Sequence, residues 1–338
     1  TGLTDQAALI KDMKERMGSE LCIMAHHYQN DAVVAQADIV GDSLELARQI
    51  PELQAGTIVM CGVYFMAESA AILARQGQRV FIPDREAGCL LSNMAPAAMV
   101  ESMLEKLNSR GRHIVPLAYV NTSAAVKEVC GRYGGSVCTS ANAMTMLKWA
   151  MDQGDGVLFL PDKNLARNTA NKMGLPASTW EMLRLRRDGF SDQADLYIWP
   201  GVCVVHQLMK PKHLELIREQ EPGARIIVHP ECPPELVDLA DASGSTSQII
   251  RYVQEAEPGA TIYIGTECHL VDRLRKRYQG SKTVKPLLLS WCSNMAKITE
   301  AKLASLLQNL DTAEPVQVSD EEQQEALKAL ERMLAACA

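Results

Sequence analysis

The sequence lacks an excess of positive charge on which a polyanion could bind. Its 338 residues include 34 lysines and arginines against 41 aspartates and glutamates, which gives a formal net charge of -7 at pH 7. A groove for nucleic acid or a face for an anionic membrane needs the opposite balance. We therefore expect neither a nucleic-acid partner nor a membrane partner.

The sequence also lacks the marks of an exported or membrane-spanning chain. Its first residues combine acidic side chains with a helical pattern, whereas a signal peptide has a basic start followed by an apolar core. The most apolar stretch, residues 57–74, contains Gly62 and Glu68 and is typical of a buried strand that runs into a helix. Secretion is therefore not expected.

Close metal-binding spacings are missing as well. There are ten cysteines but no C-x-x-C pair, and no H-x-H or H-E-x-x-H element is present. In a chain without an export signal we expect cysteines to stay reduced, to bind metal or to do redox chemistry, and not to form a disulfide scaffold.

What the sequence does contain is one pattern that occurs three times. Each unit has four short apolar runs with the length of buried strands, separated by helical stretches. Strand, helix and strand in alternation form a parallel sheet covered by helices on both faces. We therefore predict an α/β fold of three similar three-layer α/β/α domains related by pseudo-threefold symmetry. Their predicted bounds are residues 1–97 joined by the closing segment 293–338, residues 98–208, and residues 209–292.

Polar side chains follow the first two runs of each unit. Ligands gather at the carboxyl ends of parallel strands, so we expect one site at the junction of the domains. The hydroxyl groups stand where a loop enters a helix, and there each one either caps the helix or binds a ligand anion. The residues after the first runs are His26 and Tyr28, Tyr119 and Asn121, and His229 and Glu231; those after the second runs are Ser43, Ser140, Ser245 and Thr246.

The fourth run of each unit leads to a cysteine, namely Cys89, Cys203 and Cys292. Pseudo-threefold symmetry would bring three strand ends to one axis, with a thiolate from each. Three thiolates suit either a zinc ion completed by another ligand or a 4Fe-4S cluster with one iron free of protein ligands. Such an iron acts as a Lewis acid on hydroxyl or carboxylate oxygens.

These residues resemble the quinolinate synthase family over nearly the whole chain, from Leu21 to the C-terminal helix. The resemblance implies a 4Fe-4S cluster on the three cysteines and condensation of iminoaspartate with dihydroxyacetone phosphate to quinolinate, with loss of water and phosphate. It places the reaction in de novo NAD synthesis in the cytoplasm, with iminoaspartate supplied by an enzyme that produces it. The matching stretches are AHHYQ, ADIVGDSLELA, YVNTS, CTSANA, VHPEC, GSTSQ and GTE.

The resemblance also assigns roles. It implies proton transfer by Tyr28 and Glu231, assisted by His26, next to the cluster. Glu267 and Lys297 lie where either could reach the site. The chain departs from the family pattern at His27 and in the longer segment 126–136, which leaves the local detail of that loop open. The residues expected to hold substrate groups are His26, Ser43, Tyr119, Asn121, Ser140, His206, His229, Glu231, Ser245 and Thr246.

Two other functions are compatible with parts of this pattern. A cytosolic zinc or two-metal hydrolase would use the histidines with a carboxylate, and iron with acid-labile sulfide would exclude it. A redox sensor that reports oxygen through its cluster would need an output surface, and no basic DNA-binding helix is visible.

Overall fold

Three parallel sheets organise the chain in the computed structural model, which describes residues 5–185, 189–191 and 193–337. The structure does not describe residues 1–4, 186–188, 192 and 338. The predicted domain bounds at residues 1 and 338 therefore lie outside the described residues. The described residues also form short 3-10 helices at Gly18–Glu20, Ile50–Glu52, Ala177–Thr179 and Met295–Lys297.

The first sheet has the strand order β2-β1-β3-β4. All residues of β1 and β3 are buried, because a parallel sheet covered on both faces needs continuous apolar runs and not alternation. Its strands are β1 (Leu21–His26), β2 (Ile39–Gly41), β3 (Thr57–Cys61) and β4 (Arg79–Phe81). Its helices are α1 (Gln6–Met17), α2 (Asp31–Val34), α3 (Ser43–Gln49), α4 (Tyr64–Leu73) and α5 (Leu90–Asn93).

The second sheet has five strands in the order β6-β5-β7-β9-β8. We predicted four, and the count was wrong because β8 is a half-buried edge strand with a glutamate at its centre, which does not form an apolar run. The strands are β5 (Ile114–Tyr119), β6 (Ser136–Cys138), β7 (Gly156–Leu160), β8 (Trp180–Met182) and β9 (Leu196–Ile198). The helices are α6 (Ala97–Asn108), α7 (Ala124–Arg132), α8 (Ala143–Met151), α9 (Lys163–Lys172) and α10 (Val204–Gln207).

The third sheet repeats the order of the first, as β11-β10-β12-β13. In every sheet the first strand lies between the second and third strands of its unit, which confirms the predicted α/β fold of three similar parallel-sheet units. The strands are β10 (Arg225–Val228), β11 (Ala242–Ser243), β12 (Thr261–Gly265) and β13 (Thr283–Pro286). The remaining helices are α11 (Pro211–Gln220), α12 (Pro234–Val237), α13 (Thr246–Glu255), α14 (Cys268–Arg277), α15 (Glu300–Gln308) and α16 (Asp320–Ala336).

The C-terminal helices join the first two units. Helix α15 packs on α1, whereas α16 packs chiefly on α7 and β6 of the second unit and also on α4 of the first. A Cβ at Gly131 would lie 1.9 Å from the carbonyl oxygen of Glu325, so only glycine allows α7 and α16 to approach so closely. The closing segment therefore contacts both of the first two units, and the domain bounds stay a prediction.

No helix in the described parts of the chain combines the length and the apolar character needed to cross a bilayer.

Candidate functional site

A cavity lies where the carboxyl ends of the three sheets meet, and it encloses about 950 Å³ of space including its mouth. Its lining takes residues from all three units, so no single domain could form it. Most of the predicted site residues lie in this lining: His26, Tyr28, Ser43, Cys89, Tyr119, Asn121, Ser140, Cys203, His206, His229, Glu231, Thr246 and Cys292. Glu267 also lines the cavity. Ser245 and Lys297 are not among the lining residues that the structure describes.

The turns after β1 and β10 have the same hydrogen bond. The backbone N-H of Tyr28 donates to Nδ1 of His26 at 3.1 Å, and that of Glu231 donates to Nδ1 of His229 at 3.3 Å. In a neutral ring the proton then lies on Nε2, which in His229 faces Oγ of Ser140 at 3.2 Å. Burial lowers the pKa of both imidazoles to about 3. Both rings are therefore neutral near pH 7.

Glu231 is the carboxylate at the centre of the cavity wall. Its Oε2 lies 2.6 Å from Nδ1 of His206 and 3.4 Å from Nδ1 of His229. Burial favours the neutral acid, but the charge and hydrogen bond of His206 outweigh it and lower the pKa of Glu231 to about 2. Its other oxygen, Oε1, is buried and has no hydrogen-bond partner among the described residues. The carboxylate is thus ionised, with one oxygen left to accept a proton or a hydrogen bond.

A chain of hydrogen bonds connects Glu231 to Tyr28. The phenol of Tyr28 is 2.7 Å from Oγ1 of Thr266, which is 3.0 Å from Nε2 of His206. The other nitrogen of His206 reaches Glu231. Burial raises the pKa of Tyr28 well above its usual value, so the phenol keeps its proton. An ionised acceptor and a protonated donor therefore stand at the two ends of one connected path.

Three of the four predicted helix-start hydroxyls are free of capping. Ser43 and Thr246 are the first residues of α3 and α13, and Ser140 precedes α8; all three line the cavity. The cap of α3 is Asp42, which accepts the N-H groups of Leu44 and Glu45. The hydroxyl of Ser245 instead accepts the N-H of Gln248 and caps α13. The capping alternative thus applies to Ser245 alone.

Asn121 lies on the turn after β5 and is held by a buried lysine. The ammonium of Lys127 donates to the carbonyl oxygen of Val120 at 3.0 Å and to that of Thr122. Its side chain has no exposed surface, and burial lowers its pKa to about 8. Oδ1 of Asn121 is buried without a hydrogen-bond partner in the described parts of the chain. The lysine thus fixes the two carbonyls that flank Asn121, while the amide oxygen is left for a ligand.

Each of the three predicted cysteines begins a turn whose N-H groups face its thiol. Burial raises the pKa of all three thiols, that of Cys89 to about 12, while N-H groups two or three residues further along act in the opposite direction. These groups belong to Ser92 and Leu91 for Cys89, to His206 for Cys203, and to Met295 and Asn294 for Cys292. Such N-H groups stabilise sulfur once a metal has displaced its proton.

The cavity contains two sets of possible metal ligands. Within the described residues, Cys203, His206 and Glu231 form the one group whose ligand atoms all lie within 4.8 Å of one another. The three cysteines do not form such a group, although all three line the cavity. At least two of the three thiols thus lie more than 4.8 Å apart.

Sequence reasoning did not find Thr266, Asp162 or Lys127. Thr266 joins Tyr28 to His206, although its neighbour Glu267 was singled out. Asp162 accepts the backbone N-H of Cys203 at 2.9 Å. A fully buried charged side chain has no local sequence signal, but a polar residue within two positions of a strand end could have pointed to Asp162 after β7 and to Thr266 after β12. Lys297 donates instead to the carbonyl oxygen of Glu86.

Comparison with known proteins gives one consistent family. The sequence profile described as "Quinolinate synthetase A protein" matches residues 8–335. The chain is 39% identical to a quinolinate synthase of Rhodopirellula baltica, over 96% of this chain and 89% of the relative. It is 41% identical to one of Halalkalibacterium halodurans, over 96% and 92%, and 39% identical to one of Listeria monocytogenes, over 98% and 93%.

Proposed function

This chain belongs to the quinolinate synthase family, and on that premise we propose that it condenses iminoaspartate with dihydroxyacetone phosphate to quinolinate in de novo NAD synthesis. The observation that carries the proposal is one cavity lined both by three cysteines, one from each unit, and by the ends of the path from Tyr28 to Glu231.

We propose that Cys89, Cys203 and Cys292 hold a 4Fe-4S cluster. Their thiols line one cavity without sharing the short spacing of a single-ion site, and backbone N-H groups face each sulfur. When bound, the cluster supplies an iron with an open coordination position that acts as a Lewis acid on substrate oxygens. The rest of the chemistry falls to the side chains of the cavity.

The substrates bring two carboxylates and a phosphate into a cavity that has no lysine or arginine among its described lining residues. Neutral donors must therefore bind these anions. The hydroxyls of Ser43, Ser140 and Thr246 stand at starts of helices, where N-H groups also favour negative charge. The Asn121 amide and the neutral rings of His26 and His229 add directed hydrogen bonds, Tyr119 adds a phenol, and Ser245 acts through the cap that places Thr246.

The reaction moves protons but needs no oxidant. One iminoaspartate and one dihydroxyacetone phosphate give one quinolinate, one phosphate and two waters, and the electrons balance. We assign Glu231 as the base, because it is ionised and keeps a free oxygen. Tyr28 is the acid, because its phenol is the protonated group at the other end of the path. Thr266 and His206 lie between them and can return a proton from one end to the other.

We further propose that the enzyme works in the cytoplasm and receives iminoaspartate from an enzyme that produces it. The reduced state expected for the ten cysteines supports a cytoplasmic location.

The test is anaerobic reconstitution followed by assay of metal, sulfide and product. We expect four irons and four acid-labile sulfides per chain, with quinolinate and phosphate formed in equal amounts from the two substrates. One metal ion without sulfide, bound at Cys203, His206 and Glu231, would favour the hydrolase alternative instead. An intact cluster without quinolinate would favour the redox sensor.

A further inference from the structure

The three loops that carry the cysteines are joined to the ends of the third strands by the same hydrogen bond. In each unit the donor is a backbone N-H three residues after the third strand, and the acceptor is the carbonyl two residues before the cysteine. The pairs are Tyr64 with Ala87 at 2.7 Å, Lys163 with Gly201 at 2.8 Å, and Cys268 with Ser290 at 2.9 Å. The three loops are therefore equivalent in space as well as in sequence order.

The residue just before each donor is acidic in two of the units and apolar in the third. In the second unit it is Asp162, whose Oδ2 accepts the backbone N-H of Cys203 at 2.9 Å. In the third unit it is Glu267, whose Oε1 accepts the backbone N-H of Cys292 at 3.2 Å. In the first unit it is Val63, whose side chain has no acceptor atom. Two of the three cysteines are thus tied to a carboxylate at an equivalent position.

Each carboxylate also caps the helix that follows. Oδ1 of Asp162 accepts the N-H of Leu165 at 2.7 Å, and Oε2 of Glu267 accepts the N-H of His269 at 2.7 Å. Capping needs only one oxygen, which a serine supplies at a lower cost of burial. Both carboxylates are completely buried. Oε1 of Glu267 also lies 2.9 Å from Nδ1 of His269. The contact that both positions share, and that a serine could not make, is the one with the cysteine loop.

We propose that Asp162 and Glu267 are positioning residues that hold the backbone of Cys203 and Cys292, so that these two thiols are oriented before any metal group arrives. The functional benefit of this orientation depends on the proposed cluster. The hydrogen bonds themselves form within the chain and need no cluster. The Cys89 loop is held without such a carboxylate.

The test separates capping from positioning through Asp162→Ser and Glu267→Ser. Serine retains the helix cap and is too short to reach the cysteine N-H as well. The cluster-free, folded chain is treated with iodoacetamide under anaerobic conditions. Mass spectrometry then measures the rate at which each thiol is alkylated. Asp5→Ser is the matched control, since Asp5 caps α1 and accepts the N-H of Ala8, far from any cysteine loop.

The expected result is selective. Asp162→Ser should accelerate alkylation of Cys203 about tenfold, a size expected when a buried N-H loses its hydrogen-bond partner, and leave Cys292 unchanged. Glu267→Ser should do the reverse, and Cys89 should react at its normal rate in both. Unchanged rates, or an equal rise at all ten thiols, would overturn the proposal. If Asp162→Ser does not fold, Asp162→Asn replaces it, because its one oxygen cannot serve both α9 and Cys203; the expected outcome and the overturning one are the same.

A second measurement uses the reconstituted chain. Both serine variants should release iron to a chelator faster than the wild type and show an altered electron paramagnetic resonance spectrum of the reduced cluster, whereas Asp5→Ser should show neither change. A wild-type spectrum and normal iron release in both variants would contradict the positioning role. If the wild-type chain takes up no sulfide, the proposed function fails, while the alkylation pattern still decides the positioning role.

Discussion

The carboxylate of Glu231 lies 2.6 Å from the imidazole of His206, and only 3% and 1% of the two side chains are exposed. Because both side chains are shielded from water, the interaction with His206 is strong enough to lower the pKa of Glu231, although burial alone would raise it. Glu231 therefore stays ionised. The same imidazole continues through Thr266 to Tyr28. An ionised carboxylate is thereby connected to a phenol of a different unit without any exposed link.

Glu231→Gln should retain the cluster and substrate binding but stop turnover. The amide keeps the shape and a hydrogen bond to His206 while losing the ability to exchange a proton. General acid-base groups contribute about 100-fold to 10,000-fold, so the loss should appear in kcat and not chiefly in KM. The measurement is anaerobic formation of quinolinate together with the absorbance of the cluster.

The matched control is Glu235→Gln on the exposed side of α12, which should have normal turnover. Near-normal turnover of Glu231→Gln would remove Glu231 from the catalytic set. Loss of the cluster absorbance in this variant would contradict the prediction and show that Glu231 supports the structure.

Replacing Cys89, Cys203 or Cys292 by alanine should each abolish the brown chromophore, because the remaining two thiols leave one iron without its ligand. The control is Cys232→Ala. Cys232 is fully buried, and its Sγ faces the carbonyl oxygen of Gly265 at 3.7 Å and not the cavity. Iron and sulfide analysis after reconstitution gives the answer. A colourless Cys232→Ala beside a brown Cys89→Ala would show that the ligand assignment is wrong.

Sequence reasoning could predict the three sheets and most of the cavity lining because both depend on local patterns. A buried parallel strand must be a continuous apolar run, as in β1 and β5, and a polar residue at its end or directly after it lies at the edge where ligands bind. His26, Tyr119 and His229 were found in this way. The repeat then indicated that these edges face one another.

Other features depend on contacts between distant segments and left no local pattern. Lys127 lies on α7, and only the fold shows that its ammonium is buried and meets the carbonyls beside Asn121. The position of α16 on the second unit depends on the missing side chain of Gly131. The edge strand β8 was missed because three half-buried residues do not form an apolar run.

Ser140→Ala and Thr246→Val should each weaken binding of quinolinate by about 1 to 3 kcal/mol, the range for losing a hydrogen bond to a charged group. Neither hydroxyl caps a helix by its side chain, so stability should change little. Calorimetric titration of the cluster-loaded protein measures the effect. Thr312→Val, at an exposed threonine, is the control. Unchanged dissociation constants in both variants would show that these hydroxyls do not bind the ligand.

Acid should destabilise the cluster-free chain in a way that depends on His26. Burial lowers the pKa of His26 to about 3 in the folded chain, whereas the unfolded chain has a value near 6.5. Between these values the unfolded state binds the extra proton, so stability falls as pH drops from 6.5 towards 3, by up to about 1.4 kcal/mol per pH unit for this group. His26→Asn should reduce that slope, because its oxygen can accept the N-H of Tyr28 without taking a proton. Urea unfolding from pH 7 to pH 4 measures it.

The same substitution at the exposed His113 serves as the control and should leave the slope as it is in the wild type. Equal slopes in the wild type and in His26→Asn would contradict the prediction.

Lys127→Met should impair substrate binding without affecting the cluster. Methionine fills the space beside Phe65 but cannot donate to the carbonyls of Val120 and Thr122, so the turn that presents Asn121 loses its fixed geometry. Two buried carbonyls lose a charged donor, which costs about 1 to 3 kcal/mol each, and KM should rise at least tenfold. Iron and sulfide contents should stay normal, because none of the three cysteines depends on this turn.

Lys148→Met, on the exposed face of α8, should behave like the wild type. A normal KM with only a lower melting temperature would show that Lys127 stabilises the second unit and does not position Asn121.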